Sequence, residues 1–162
     1  VPAAYSAFYN RKEQGNVADY VIVMGYDEHF AGGAAGSVAS LSYVENGITD
    51  TLEEVPKEKL INSVPLYTRV WTEKDGKTTS KAYGITAAQN WVEENNVELT
   101  WQDNIGQYYG EIENGTQKIW MEETKSLGLK KDLVNKYDLA GIACWKLGFE
   151  TADIWAVIND VK

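Results

Sequence analysis

Tyr20-Val21-Ile22-Val23-Met24-Gly25-Tyr26-Asp27-Glu28-His29 is the stretch that decides the fold. Its first five residues form an apolar run between polar neighbours. That pattern predicts a strand buried on both faces, as in a parallel sheet. Where such a strand ends, active residues collect, because parallel α/β sheets and barrels present their C-terminal strand tips as a rim.

Downstream, Ser37 is placed to cap a helix in which Val38, Leu41, Val44, Ile48 and Leu52 recur at helical spacing. Gly47 interrupts that helix and leaves a kink or two shorter helices open. Leu60 to Tyr67 reads as a second buried strand. Strand, helix and strand in succession predict a right-handed parallel crossover. Upstream, residues 5–16 read as a loop and a short helix ending near Gly15.

Residues 68–122 change character. Asp75-Gly76 and Asn114-Gly115 are hairpin turn signals. Arg69 to Thr72, Glu98 to Gln102, Gln107 to Ile112 and Lys118 to Trp120 alternate as antiparallel strands do. Thr86 to Glu94 reads as a short helix between them. Beyond the insert, Glu122 to Tyr137 is helical, Leu139 to Trp145 is a third apolar strand, and Ala152 to Val161 a last helix with Ile154, Trp155 and Ile158 on one face. The expected division is therefore 1–67, an α+β insertion at 68–122, and 123–162.

Composition narrows the function. The 162 residues carry 15 Lys+Arg against 24 Asp+Glu, a net charge of −9. An acidic chain without a basic cluster repels phosphate backbones, which argues against nucleic acid. No apolar run of membrane-spanning length occurs, so no membrane partner is expected. The one cysteine, Cys144, excludes an internal disulfide; it reads as core, with a thiol nucleophile served by His29 as the rival. Neither metal nor organic cofactor is expected. Six Trp and ten Tyr supply both core and flat apolar surfaces.

Three strand tips combine aromatic rings with charged groups: Met24-Gly25-Tyr26-Asp27-Glu28-His29, Tyr67-Thr68-Arg69-Val70-Trp71, and Trp145-Lys146-Leu147-Gly148-Phe149-Glu150. Sugars call for this combination, since a ring packs on their C–H face while carboxylates and Arg bond their hydroxyls. Each residue also has a plain structural reading. Tyr26 and Trp145 could be core, Asp27 and Glu28 a helix cap or solvated loop, and Arg69 half of a surface ion pair.

The segment Val21 to Asp27 resembles the Met-x-Tyr-Asp motif on the sixth barrel strand of glycoside hydrolase family 18, the chitinase family. Val64-Pro65-Leu66-Tyr67-Thr68-Arg69 is similar to that family's seventh strand, and Gly141-Ile142-Ala143-Cys144-Trp145 to its eighth. The wording around Tyr26-Asp27-Glu28-His29 looks most like the bacterial spore-cortex and cell-wall branch. The resemblance implies an α/β fold, part of a (β/α)8 barrel with strands six to eight. It implies cleavage of β-1,4-linked N-acetylglucosamine polymers, peptidoglycan or chitin, in which the substrate's own acetamido oxygen attacks. Tyr26 would orient that acetamido group, and Asp27 would bind the distorted sugar. Met24, Tyr67, Arg69 and Trp145 would contact substrate, with Glu28 and Glu150 as hydroxyl acceptors. An extracellular, cell-wall or spore location follows from the same resemblance.

One motif of the family does not occur here. Its acid lies in Asp-x-x-Asp-x-Asp-x-Glu, and the nearest run, Asp50-Thr51-Leu52-Glu53, lacks the spacing. The chain is accordingly expected to be a piece of a longer protein, inactive alone, that dimerises or swaps to cover open strand edges. The rival reading is a lectin-like module that holds sugar without cleaving it.

Overall fold

Three parallel strands build one sheet: β1 (Val21–Met24), β2 (Leu60–Pro65) and β8 (Gly141–Trp145), in the order β1-β2-β8. The computed structural model describes residues 1–160. Met24 pairs with Ser63 and Ser63 with Ala143, so the three strand tips emerge at one end. Val1 and Pro2 lie along the outer edge of β1, where the Met24 amide donates to the Val1 carbonyl at 2.8 Å.

Burial on both faces holds for β2 alone. In β1 the residues alternate, with Val23 fully buried and Ile22 45% exposed, and β8 is half-buried up to its exposed last residue, Trp145. The reason is layering. Val21, Val23 and Leu60 pack on Val44, Ile48, Leu133 and Val134 from the helices, while Ile22 faces away from that layer.

Helix α1 spans Arg11–Val17 and runs past Gly15, which is buried against Val55. Helix α2 spans Leu41–Leu52 and is capped by Ser40, whose Oγ accepts from the Tyr43 amide. Ser37 is therefore not the cap, and Val38 is buried outside the helix. Gly47 does not break α2. A Cβ there would lie 2.6 Å from the Ala3 Cβ, so glycine is what lets the chain's first residues pack on the helix.

Between β2 and β8 in sequence lies a five-stranded antiparallel sheet in the order β4-β3-β7-β6-β5. Its strands are β3 (Tyr67–Lys74), β4 (Lys77–Gly84), β5 (Thr100–Gln102), β6 (Gln107–Ile112) and β7 (Gln117–Met121). Asp75 and Gly76 turn the first hairpin with φ of 52° and 70°, the left-handed pair that such a turn requires. β4 is a polar edge strand, which is why apolar alternation does not reveal it. Helix α3 (Ile85–Glu94) covers one face of this sheet through Ala88, Trp91 and Val92 on Val70 and Ile119. Only Leu66 separates β2 from β3, so the strand expected over 60–67 ends at Pro65 and Tyr67 opens the strand expected from Arg69.

Helix α4 (Thr124–Lys136) starts from a capping box, with Glu123 accepting from the Ser126 amide at 2.8 Å. Helix α5 (Ala152–Ile158) buries Ile154 and Ile158; Val161 of the expected helix lies outside the described residues.

Candidate sugar-binding site at the strand tips

Tyr26 and Asp27 follow β1 after Gly25, and Tyr67 opens β3 just beyond β2. The Tyr67 hydroxyl donates to Asp27 Oδ1. The two tyrosine rings meet edge to face, with centroids 6.2 Å apart. Asp27 sits at φ 62°, a conformation that Asp tolerates better than most residues. Tyr67 is buried, and burial, reinforced by the bond to Asp27, raises its pKa well above the ordinary tyrosine value. Tyr26 is raised by burial too, opposed by a hydrogen bond with Ser63 and reinforced by the Asp27 charge. Tyr43 supports the turn from behind, donating to the Tyr26 carbonyl at 3.4 Å.

Arg69 lies two residues beyond Tyr67, and its charge partly opposes the rise in the Tyr67 pKa. One guanidinium nitrogen donates to Ser80 Oγ at 3.0 Å. The buried Nε has no partner among the described residues. Trp145 ends β8 with 55% of its surface exposed, and its carbonyl accepts from the Leu66 amide at 2.7 Å, beside Tyr67. A half-exposed indole at a strand tip is a flat apolar platform. Met24 is half-buried at the end of β1.

The remaining candidates are engaged locally. Both Glu28 oxygens accept from Ser40, one from its amide at 2.8 Å and one from its hydroxyl at 3.0 Å. Glu150 accepts from the Gly148 amide at 2.6 Å and closes the turn after β8. His29 bonds the Ser37 carbonyl at 2.8 Å and packs on Gly36. Burial, with the Glu150 charge behind it, pushes the Cys144 thiol up to about 11, which suits a packing residue better than a nucleophile. Among the described residues, no group of three or more His, Cys, Asp or Glu could hold a metal ion, and no helix is long and apolar enough to cross a membrane.

Sequence reasoning did not find Ser63, Tyr43 or the buried network behind the site. In that network Lys130 lies 2.8 and 2.9 Å from the two oxygens of Glu122. Gln107 Nε2 donates to Glu122 at 2.5 Å, Ser126 donates at 2.8 Å, and the Ser37 hydroxyl donates to Gln107 Oε1. Burial pushes the Glu122 carboxyl up, and Lys130 opposes it. Glu122, Ser126 and Lys130 recur every four residues into α4, but no local pattern signals Gln107 and Ser37, which come from two other segments.

Parallel strands with aromatic, acidic and guanidinium groups at one rim define an α/β fold of the kind glycan hydrolases use. The chain belongs to the glycosyl hydrolases family 18, whose family model matches residues 1–150. It is 28% identical over 155 residues to the cortical fragment-lytic enzyme of Bacillus subtilis, covering 92% of this chain and 36% of that protein. It is also 28% identical over 154 residues to the uncharacterized glycosylase YvbX of Bacillus subtilis, covering 93% and 44%. A chitinase from Chromobacterium violaceum has the same fold with a TM-score of 0.86 at 26% identity, covering 98% of this chain and 53% of that one. The spore cortex-lytic enzyme SleL of Bacillus megaterium gives 0.81 at 26% identity, covering 94% and 36%. The chain thus spans less than half of these curated relatives and about half of the chitinase.

Proposed function

We propose that this chain forms the sugar-orienting wall of a retaining hydrolase of β-1,4-linked N-acetylglucosamine polymers, in peptidoglycan or chitin. The observation that carries this is the Tyr67 hydroxyl on Asp27 beside Tyr26, at the tips of parallel strands in a family 18 chain. Tyr26 bonds the acetamido carbonyl and aligns its oxygen with the anomeric carbon. Asp27, oriented by Tyr67, binds the distorted sugar. Arg69 bonds the neighbouring sugar, and Trp145 stacks beneath the acetamido-bearing ring. Met24 lines the pocket, with Glu28 and Glu150 at its margin.

In this reading β1, β2 and β8 are the sixth, seventh and eighth strands of a (β/α)8 barrel, and residues 68–122 are an insertion between the last two. The acid that protonates the glycosidic oxygen belongs to residues outside these 162, so this chain alone releases no product. The whole protein works outside the cell, on wall or spore cortex; support comes from bacterial relatives named for lysis of the spore cortex or its fragments. The outer edge of β8, the exposed Ile22 and an open cavity of about 570 Å³ beside Cys144 and Trp155 favour pairing with a second copy or a swapped segment.

Titration with N-acetylglucosamine oligomers, followed by Trp fluorescence, tests the site. Wild type should respond saturably, and Trp145→Ala should bind about tenfold more weakly. No response in either would overturn the sugar site in this chain. Reducing ends released by this chain alone would overturn its assignment as inactive, and would exclude the lectin-like alternative.

A further inference from the structure

We propose that the Glu122–Lys130 ion pair is a positioning device. Acting through Gln107 and Ser37, it holds loop 28–40, and with it Asp27, against the sheet that carries Arg69. This rests on the sugar-site reading above.

The chemistry of the network gives it a single direction. An ionised carboxylate only accepts hydrogen bonds. Glu122 takes two from Lys130, one from Ser126 and one from Gln107. Gln107 must therefore turn its amide NH2 toward Glu122, which leaves its carbonyl oxygen for Ser37. Ser37 must donate to that oxygen, and its own oxygen then accepts from the Ala39 amide at 3.0 Å. Glu122 and Gln107 are fully buried and Lys130 is 1% exposed, so water does not compete at any link. From Ser37 the loop runs back to the site. Its carbonyl bonds His29, and the Glu28 amide donates to the Val38 carbonyl at 3.0 Å, one residue from Asp27.

Apolar packing of equal volume can match a buried ion pair in stability. A polar relay adds one fixed orientation, which is what a loop bearing a binding carboxylate needs.

Ser37→Ala and Gln107→Leu cut the relay and leave the ion pair standing, while Ser37→Thr keeps the hydroxyl. Amide exchange at Glu28, Ala39 and Ser40 should speed up about tenfold in the first two, with the α4 interior unchanged and Ser37→Thr close to wild type. The Trp71 indole N–H, which donates to the Gly36 carbonyl at 2.8 Å, should shift its resonance in the same pattern. Affinity for N-acetylglucosamine oligomers should fall together with loop protection. Unchanged exchange in the loop, or a loss of protection equal in α4, overturns the proposal. A loosened loop in a chain whose wild type binds no oligomer overturns the sugar reading instead and leaves the tether standing.

Discussion

The Tyr67 hydroxyl donates to Asp27 Oδ1 and so locks the tip of β1 to the first residue of β3. Forty positions separate the two residues in sequence. Tyr67 is buried while Asp27 is exposed, so the carboxylate is aimed by the protein but open to a ligand. Tyr67→Phe should lower oligosaccharide affinity about tenfold. Its stability cost should be small, about 1 kcal/mol, because water can replace the lost donor on Asp27. Calorimetric titration and denaturant unfolding read the two effects separately. Unchanged affinity would show that Asp27 needs no such partner.

Tyr67 and Tyr109 make the fold alkali-sensitive. Tyr67 and Tyr109 are both raised, each first by burial and then by a carboxylate partner, Asp27 and Glu111. The folded chain thus holds these phenolic protons more tightly than the unfolded chain does. That stability is complete below the ordinary tyrosine pKa of about 10 and is lost as the pH rises above it. Denaturation midpoints should therefore decline above that pH, and the decline should flatten in Tyr67→Phe and Tyr109→Phe. A decline of equal slope in both variants would refute the assignment.

Removing one partner of the Glu122–Lys130 pair leaves a buried charge alone. Glu122→Gln or Lys130→Met should each cost about 3–5 kcal/mol. The double change should cost clearly less than the sum, because neither charge is then stranded. Urea unfolding of the four proteins measures the coupling; strict additivity would mean that the pair is not coupled.

Cys144 should be slow toward alkylating reagents. A thiol pushed up to about 11 carries about a hundredfold less thiolate near neutral pH than an ordinary thiol with a pKa of 9.0. Glu150→Gln should speed the reaction modestly, since the Glu150 charge is the second cause of the shift. Reagent kinetics against pH tests both points.

Self-association should follow from the uncovered sheet. Gel filtration across a concentration range should show a dimer, and Ile22→Lys or Leu147→Glu should shift it to monomer, since both residues are exposed apolar side chains. A compact wild-type monomer at all concentrations would end the idea.

Much of this fold is legible in short stretches. The apolar runs of β1, β2 and β8, the turn residues Asp75-Gly76 and Asn114-Gly115, and the spacing of Val44 and Ile48 in α2 are all local signals. Ser37 mimics a helix cap for a local reason as well. Ser37 and Ser40 both precede a helical pattern, and only the folded chain shows that Ser37 is drawn off to Gln107, 70 positions away. The exposure of Ile22 escaped the sequence because an apolar run does not say how many layers cover it.

By itself, the sequence determined most of the element types, the parallel strands whose tips share one end, and the family, through motifs a few residues long. Only the tertiary structure decided that Tyr67 donates to Asp27, that Glu28 accepts from Ser40, and that Gln107 joins Glu122 to Ser37. Backbone propensity and side-chain periodicity act over a turn or a strand. Hydrogen bonds between segments depend instead on how those segments pack, and no spacing along the chain encodes that.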